Sequence, residues 1–458
     1  MQLANRKKKQ STHALHNIFI GFNKYKHIGL AVALAVWCAI PIVGVVFLLL
    51  YCQINLSSQQ IKTKKKPFLN LIPLVLVVFT IAIYIATFKT FSDTETYIAV
   101  YKSLSQESLF SLPNIDMEIG SFVLPKYISI MTGGDRSSFL LFQSLTMNIA
   151  FTFYSVIFLP EFYPIVILIN IMSQGYYFQL FWMRQFYSFI FVIPAIYTSI
   201  FAWRWLLVYL AFLTHSASLI YVLTLGITSI KNIIVNFIND IRKKFMIQNQ
   251  IENPKFLFLS FSFIFVVLLG PFMGLFLEGI GNSSLLADDI TQKIATYAND
   301  DDQNVASFTL VNQLRTVLDY VTIFIFVINA DYQKENPVFF RWLLLFMTVF
   351  GLYLGSFISG FNLRISSIFF CLPGFFYTIP LYSGKFDNQS NTNSWATRYA
   401  WILCTSIALR ILYFFNSLIG SYQVENYLTF WEGATLTTPI TGYFEFLFKC
   451  LTGGLKIM

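Results

Sequence analysis

Apolar residues recur along this chain in runs of about twenty, and charged residues gather in the stretches between them. A helix needs roughly 20 apolar residues to cross about 30 Å of hydrocarbon. The runs predict spanning helices over 29–51, 68–88, 138–159, 163–181 and 185–202. A shorter pair follows, 205–214 and 216–230, split at His215. Further spans are expected over 256–277, 308–330, 338–358, 361–380 and 399–417. Ten residues rise only about 15 Å, half of the hydrocarbon layer. The helix before His215 is therefore expected to stop at mid-depth, where non-helical backbone must face protein or water. A cavity is expected there. The end of the chain reads as a loop and an amphipathic piece, 442–451, lying at the interface.

Composition agrees with this pattern. The 458 residues are 56% hydrophobic, 18% aromatic and 12% charged, with a mean hydropathy of +0.63, whereas soluble domains are about a quarter charged. The expected fold class is all-α, a polytopic membrane protein of about twelve segments. A basic tail, 1–28, precedes a single membrane domain, 29–458. No cleavable leader is expected, because the run from Gly29 is too long for a signal core and lacks a small-residue cleavage site.

The net charge of +9 raises the question of nucleic acid. The basic residues instead form short clusters between apolar runs, as cytoplasmic loops do, so no nucleic acid is expected. Lys62, Lys64, Lys65 and Lys66 share one loop; Lys231, Arg242, Lys243, Lys244 and Lys255 share the loop 231–255. Lys334, Arg341, Lys385 and Arg398 lie in two more. Alternating spans put all of these on one side, the cytoplasm. The outer side then receives 89–137, the acidic loop 278–307 and the C-terminal segment 418–458. One feature resists: Arg6, Lys7, Lys8 and Lys9 fall outside. Either the tail is an exception, or the first run does not cross as assigned here. The five cysteines show no metal spacing.

Ionisable groups at membrane depth are costly, so each is a functional candidate, against the alternative that it snorkels to the interface. Asp93, Tyr97 and Tyr101 fall at i, i+4 and i+8 and share a helical face. A carboxylate beside two phenols suits carbohydrate, and equally a surface helix with interfacial tyrosines. Glu118 is a general base, a sugar ligand or a helix-start carboxylate. Arg184, with Gln185, opens a span and offers a fork that fits phosphate oxygens. Arg364, after Asn362, lies a turn inside its span on the same outer side. Arg315 lies two turns into another, with Asp319 at i+4 as a structural partner. His215, before Ser216 and Ala217, is the one histidine outside the N-terminal tail and takes either a proton or a plain hydrogen bond.

There is no Walker loop, GxGxxG, HExxH or His/Cys cluster. Any reaction must draw on an energy-rich substrate in the membrane, with no metal or cofactor expected. The ordered set Asp93-x3-Tyr97, Glu118-x-Gly120, Arg184-Gln185, His215-Ser216-Ala217 and Asn362-Leu363-Arg364 resembles the EpsG family of Wzy-like polysaccharide polymerases. The chain departs from the family at Phe91-Ser92, where a glycine commonly stands two before the aspartate.

The resemblance implies the helical architecture of membrane C-type glycosyltransferases in a bacterial cytoplasmic membrane. It implies a polymerase joining polyprenyl-pyrophosphate-linked repeat units on the outer face. Arg184 and Arg364, with Arg315, would hold the pyrophosphate; His215, then Glu118, would take the acceptor proton; Asp93 would bind sugar. Partners would be the lipid-linked donor and acceptor, membrane lipid, and a chain-length regulator and flippase of the same pathway. An O-antigen ligase differs only in acceptor. A flippase should show internal repeats and charges on both halves of a pathway, and a non-catalytic scaffold would tolerate loss of His215.

Overall fold

The computed structural model describes residues 26–60, 70–87, 93–113, 118–215, 218, 220–221, 224–225, 337–355, 367–378 and 439–451. Every element among the described residues is helical, and the fold class is all-α. The predicted spans 256–277, 308–330 and 399–417, both loops 231–255 and 278–307, and the residues Arg315, Asn362 and Arg364 lie outside the described residues. The chain divides into two compact units, Met1–Phe186 with Arg410–Met458, and Tyr187–Leu409.

In the first unit, the run 29–51 is not one span. It forms α1 (Lys26–Ala39) and α2 (Pro41–Gln60), which double back at Ile40. Pro41 has no N–H and disfavours helical backbone in the residue before it. A Cβ on Gly44 would stand 2.2 Å from the Trp37 Cα, and one on Gly29 would lie 3.7 Å from the Tyr51 ring. These two contacts run in opposite directions along the helices, so the pair is an antiparallel hairpin. Only glycine lets the backbones meet at position 44. Trp37 ties the hairpin to α3 (Leu71–Ala86) by donating to the Thr80 hydroxyl at 2.8 Å.

After α4 (Asp93–Leu104) and α5 (Val123–Thr132), Gly133 and Gly134 turn the chain with φ of 63° and 76°. Asp135 then caps α6 (Arg136–Phe158), accepting from the Ser138 amide at 2.7 Å. Among the described residues α6 is the one helix long and apolar enough to cross a membrane. Its faces are inverted relative to a soluble helix. Ser144, Asn148 and Ser155 are buried, while Ile149, Phe153 and Ile157 are exposed. A helix bathed in water turns its apolar stripe inward; lipid tails reverse the preference and draw polar groups to the helix interface.

The run 163–181 also differs from one span. It divides into α7 (Tyr163–Ile171) and a 3₁₀ helix, Gln174–Leu180. Nine α-helical residues rise only about 13 Å. A seven-residue 3₁₀ stretch is long, because its hydrogen bonds are poorly aligned. Buried side chains secure it. Tyr176 donates to the Asn148 amide oxygen at 2.8 Å, and Asn148 donates to the Gln179 amide oxygen at 3.2 Å. Hydropathy sees only the apolar run and not the Ser173-Gln174-Gly175 interruption within it. At the other end of the chain, α12 (Ile440–Leu451) buries Tyr443 and Phe446, exposes Phe444 and Phe448, and packs on α3 and α6.

Helix α8 (Met183–Tyr197) begins in the first unit and ends in the second. There it is followed by α9 (Phe201–Thr214), α10 (Pro337–Gly355) and α11 (Pro373–Tyr377). The predicted helix 205–214 thus starts four residues earlier, and its 14 residues rise about 21 Å, still short of a full hydrocarbon layer. Trp342 anchors this unit, its ring 6.4 Å from Tyr197, 6.2 Å from Phe369 and 6.2 Å from Phe376.

Candidate functional site

The i, i+4, i+8 face of α4 is built as the spacing implies at two of its three positions. Tyr97 and Tyr101 are buried, whereas Asp93, in the first turn, is exposed. Thr94 donates to the Leu180 carbonyl at 3.0 Å, which fastens α4 to the end of the 3₁₀ helix just ahead of Arg184.

Arg184 is the centre of a three-residue cluster. Its Nη1 donates to the Glu118 carboxylate in a close ion pair, and its Nε donates to the Tyr97 hydroxyl at 3.3 Å. The guanidinium carbon also lies 5.8 Å from the centre of the Tyr97 ring. Guanidinium carries five N–H donors in a rigid fork, so most of the fork is left for a ligand. The side chains of Arg184 and Glu118 are 20% and 21% exposed, which leaves the pair reachable. Burial raises the Tyr97 hydroxyl above the ordinary phenol value; Arg184 opposes that rise, and Asp93 and Glu118 add to it. Tyr97 therefore keeps its proton at neutral pH and can donate it.

The frame around this cluster is tightly braced. Ser121 donates to the Glu118 carbonyl at 2.8 Å, and Phe122 packs its ring 6.0 Å from Tyr97. Arg136 grips Glu95 through two bonds of 2.5 and 3.0 Å, joining α6 to α4. Lys126 is buried, pairs with Glu107 at 3.0 Å and donates to the Ser111 hydroxyl at 2.7 Å. Tyr101 turns away from the cluster. Its hydroxyl shares a 2.5 Å bond with Thr132, its ring lies 4.5 Å from Phe139, and burial pushes its pKa up to about 12. Gln185 is buried beside Arg184 in sequence.

His215 belongs to the second unit. It is the C-cap of α9 in an extended conformation, φ −161° and ψ 121°, and it is buried. Its carbonyl accepts from the Ser218 amide at 3.0 Å and the Ser218 hydroxyl at 2.6 Å. The helix break expected at this histidine is present.

The sequence model of the EpsG family matches residues 70–429, well over half of the chain. The chain belongs to the EpsG family. Members are Wzy-like polysaccharide polymerases, and the EpsG assignment makes this a membrane protein of polysaccharide biosynthesis. No curated protein and no solved structure matches the chain. Within the EpsG match lie Asp93, Tyr97, Glu118, Arg184 and His215.

Sequence reasoning weighed ionisable groups at depth and so passed over the neutral amides. Asn148 and Gln179, inside apolar runs, carried the same signal, because an amide without a partner in hydrocarbon also costs several kcal/mol, roughly 4–8 on a cyclohexane scale. Lys126 was missed as well, although a lysine within an amphipathic helix asks for a partner.

Proposed function

We propose that this EpsG protein is a glycosyltransferase that polymerises polyprenyl-pyrophosphate-linked oligosaccharide units on the outer face of the bacterial cytoplasmic membrane. The observation that carries the reading is Arg184, held between Glu118 and Tyr97 with most of its donor fork unspent. In the reaction an acceptor sugar hydroxyl attacks the anomeric carbon of the growing chain. The anomeric carbon–oxygen bond breaks, polyprenyl pyrophosphate leaves with the electron pair, and the hydroxyl proton passes to a base. Arg184 holds the developing negative charge, as preorganised donors do in a site of low dielectric. Glu118 and Tyr97 aim the fork; Arg364, Arg315, Asn362 and Gln185 are the further residues assigned to binding the substrate. His215 takes the proton, Glu118 being the second choice, and Asp93 serves the sugar side, whereas Tyr101, expected there from its spacing, is committed to Thr132.

A ligase would use the same chemistry on another acceptor, and a flippase would bind the same pyrophosphate without breaking a bond. Reconstitution with two lipid-linked units separates them. Polymer formation supports the polymerase, and leaflet transfer alone overturns it. Arg184→Ala should abolish long chains while the protein inserts normally; wild-type chain lengths in that variant would remove the pyrophosphate role.

A further inference from the structure

The second unit holds a charge arrangement that glycosyl transfer does not use. Arg204 on α9 and Arg341 on α10 are both buried. Arg341 Nη1 donates to the Ile196 and Thr198 carbonyls, each at 2.6 Å, and Arg204 Nη2 donates to the same Thr198 oxygen at 3.2 Å. Both guanidinium groups therefore converge on the C-terminal end of α8. Neither has an acidic partner among the described residues, and Arg204 Nε, shielded from solvent, has no hydrogen-bond partner.

A cap for a helix C-terminus explains one of these arginines but not two. The end of a helix carries roughly half a negative charge, which a single guanidinium already exceeds. Two like charges sharing one carbonyl in a poorly solvated place repel each other, and an anion between them would turn that repulsion into attraction. The surroundings identify the anion's carrier. Ile200, Phe201, Trp203 and Trp205, which flank Arg204 in sequence, are large apolar residues exposed on the surface. Exposed tryptophans at a helix start mark the headgroup level of a bilayer. The positive-inside pattern puts Arg341 at the cytoplasmic leaflet, whose lipids include anionic ones, and basic pockets between helices on that side bind their headgroups.

We propose that Arg204 and Arg341 form the phosphate seat of an anionic phospholipid headgroup, with Phe201, Trp203 and Trp205 flanking its acyl chains. The lipid bridges α8, α9 and α10 at the end of the unit opposite to the break at His215.

The test is native mass spectrometry of the full chain after exchange into micelles carrying phosphatidylglycerol or phosphatidylcholine. The wild type should retain phosphatidylglycerol over phosphatidylcholine by about tenfold, and Arg204→Gln with Arg341→Gln should lose the preference. Equal retention of the two lipids by the wild type, or an unchanged preference in the double variant, overturns the proposal. If the double variant fails to insert, Arg204→Lys serves in its place: it keeps the charge but not the fork and should fall between. A Lys variant indistinguishable from the wild type overturns the seat. Inorganic phosphate is the last arm. Stabilisation of lipid-free protein by millimolar phosphate equal to that by phosphatidylglycerol would mark a free-ion site and overturn the lipid reading.

Discussion

Arg184 and Glu118 stand 66 positions apart in sequence and meet as a close ion pair. The pairing decides which way the arginine fork points, because the carboxylate takes one edge and Tyr97 takes Nε. Glu118→Gln preserves the shape and removes the charge that aims the fork. Long-chain synthesis should fall about a hundredfold, the usual consequence of misplacing a charge-stabilising group by an ångström, while membrane insertion stays normal. Glycan ladders from reconstituted protein measure this, and an unaltered ladder would sink the orienting role.

His215→Ala should lower the transfer rate by about 10²–10⁴, the range for loss of a general base. The lipid-linked unit should still bind, since the arginine is untouched. A single-turnover assay separates the two. Full activity would hand the proton to another group, with Glu118 the first to examine.

Gly44→Ala puts a methyl group against the Trp37 backbone, which cannot swing aside as a side chain would. Stability should drop by about 1–3 kcal/mol, as overpacking does. Gly29→Ala is the control, because its methyl group meets the Tyr51 ring at an ordinary 3.7 Å. Thermal unfolding in detergent should distinguish them, and equal midpoints would contradict the hairpin contact.

Lys126→Ala removes the buried cation that pairs with Glu107 at 3.0 Å and donates to the Ser111 hydroxyl. Breaking a buried pair from one side costs about 3–5 kcal/mol, whereas replacing both partners with apolar residues is far milder. Lys126→Met with Glu107→Leu should therefore recover much of the loss. A double variant no better than the single one would show that the pair is not the stabilising element.

What hydropathy could and could not reveal follows from its blindness to direction. The run at 138–159 was legible because one uninterrupted helix, Arg136–Phe158, carries it, with Asp135 as its cap. The run at 29–51 was not, since Ile40 and Pro41 are themselves apolar and the reversal leaves no dip in the profile. The proline and the glycine three positions later were the available signal. At the site, the face shared by Tyr97 and Tyr101 follows from helical spacing alone. The meeting of Glu118 with Arg184 does not, because no local rule joins a 3₁₀ turn to a helix start 66 positions away.

The hairpin at Ile40 also changes the parity of the chain. Because α1 and α2 run antiparallel, Lys26 and Gln60 lie at the same end of the hairpin. A basic tail entering at that end would stand on the side of the lysines at 62–66, which removes the exception to the positive-inside pattern that a single span over 29–51 requires.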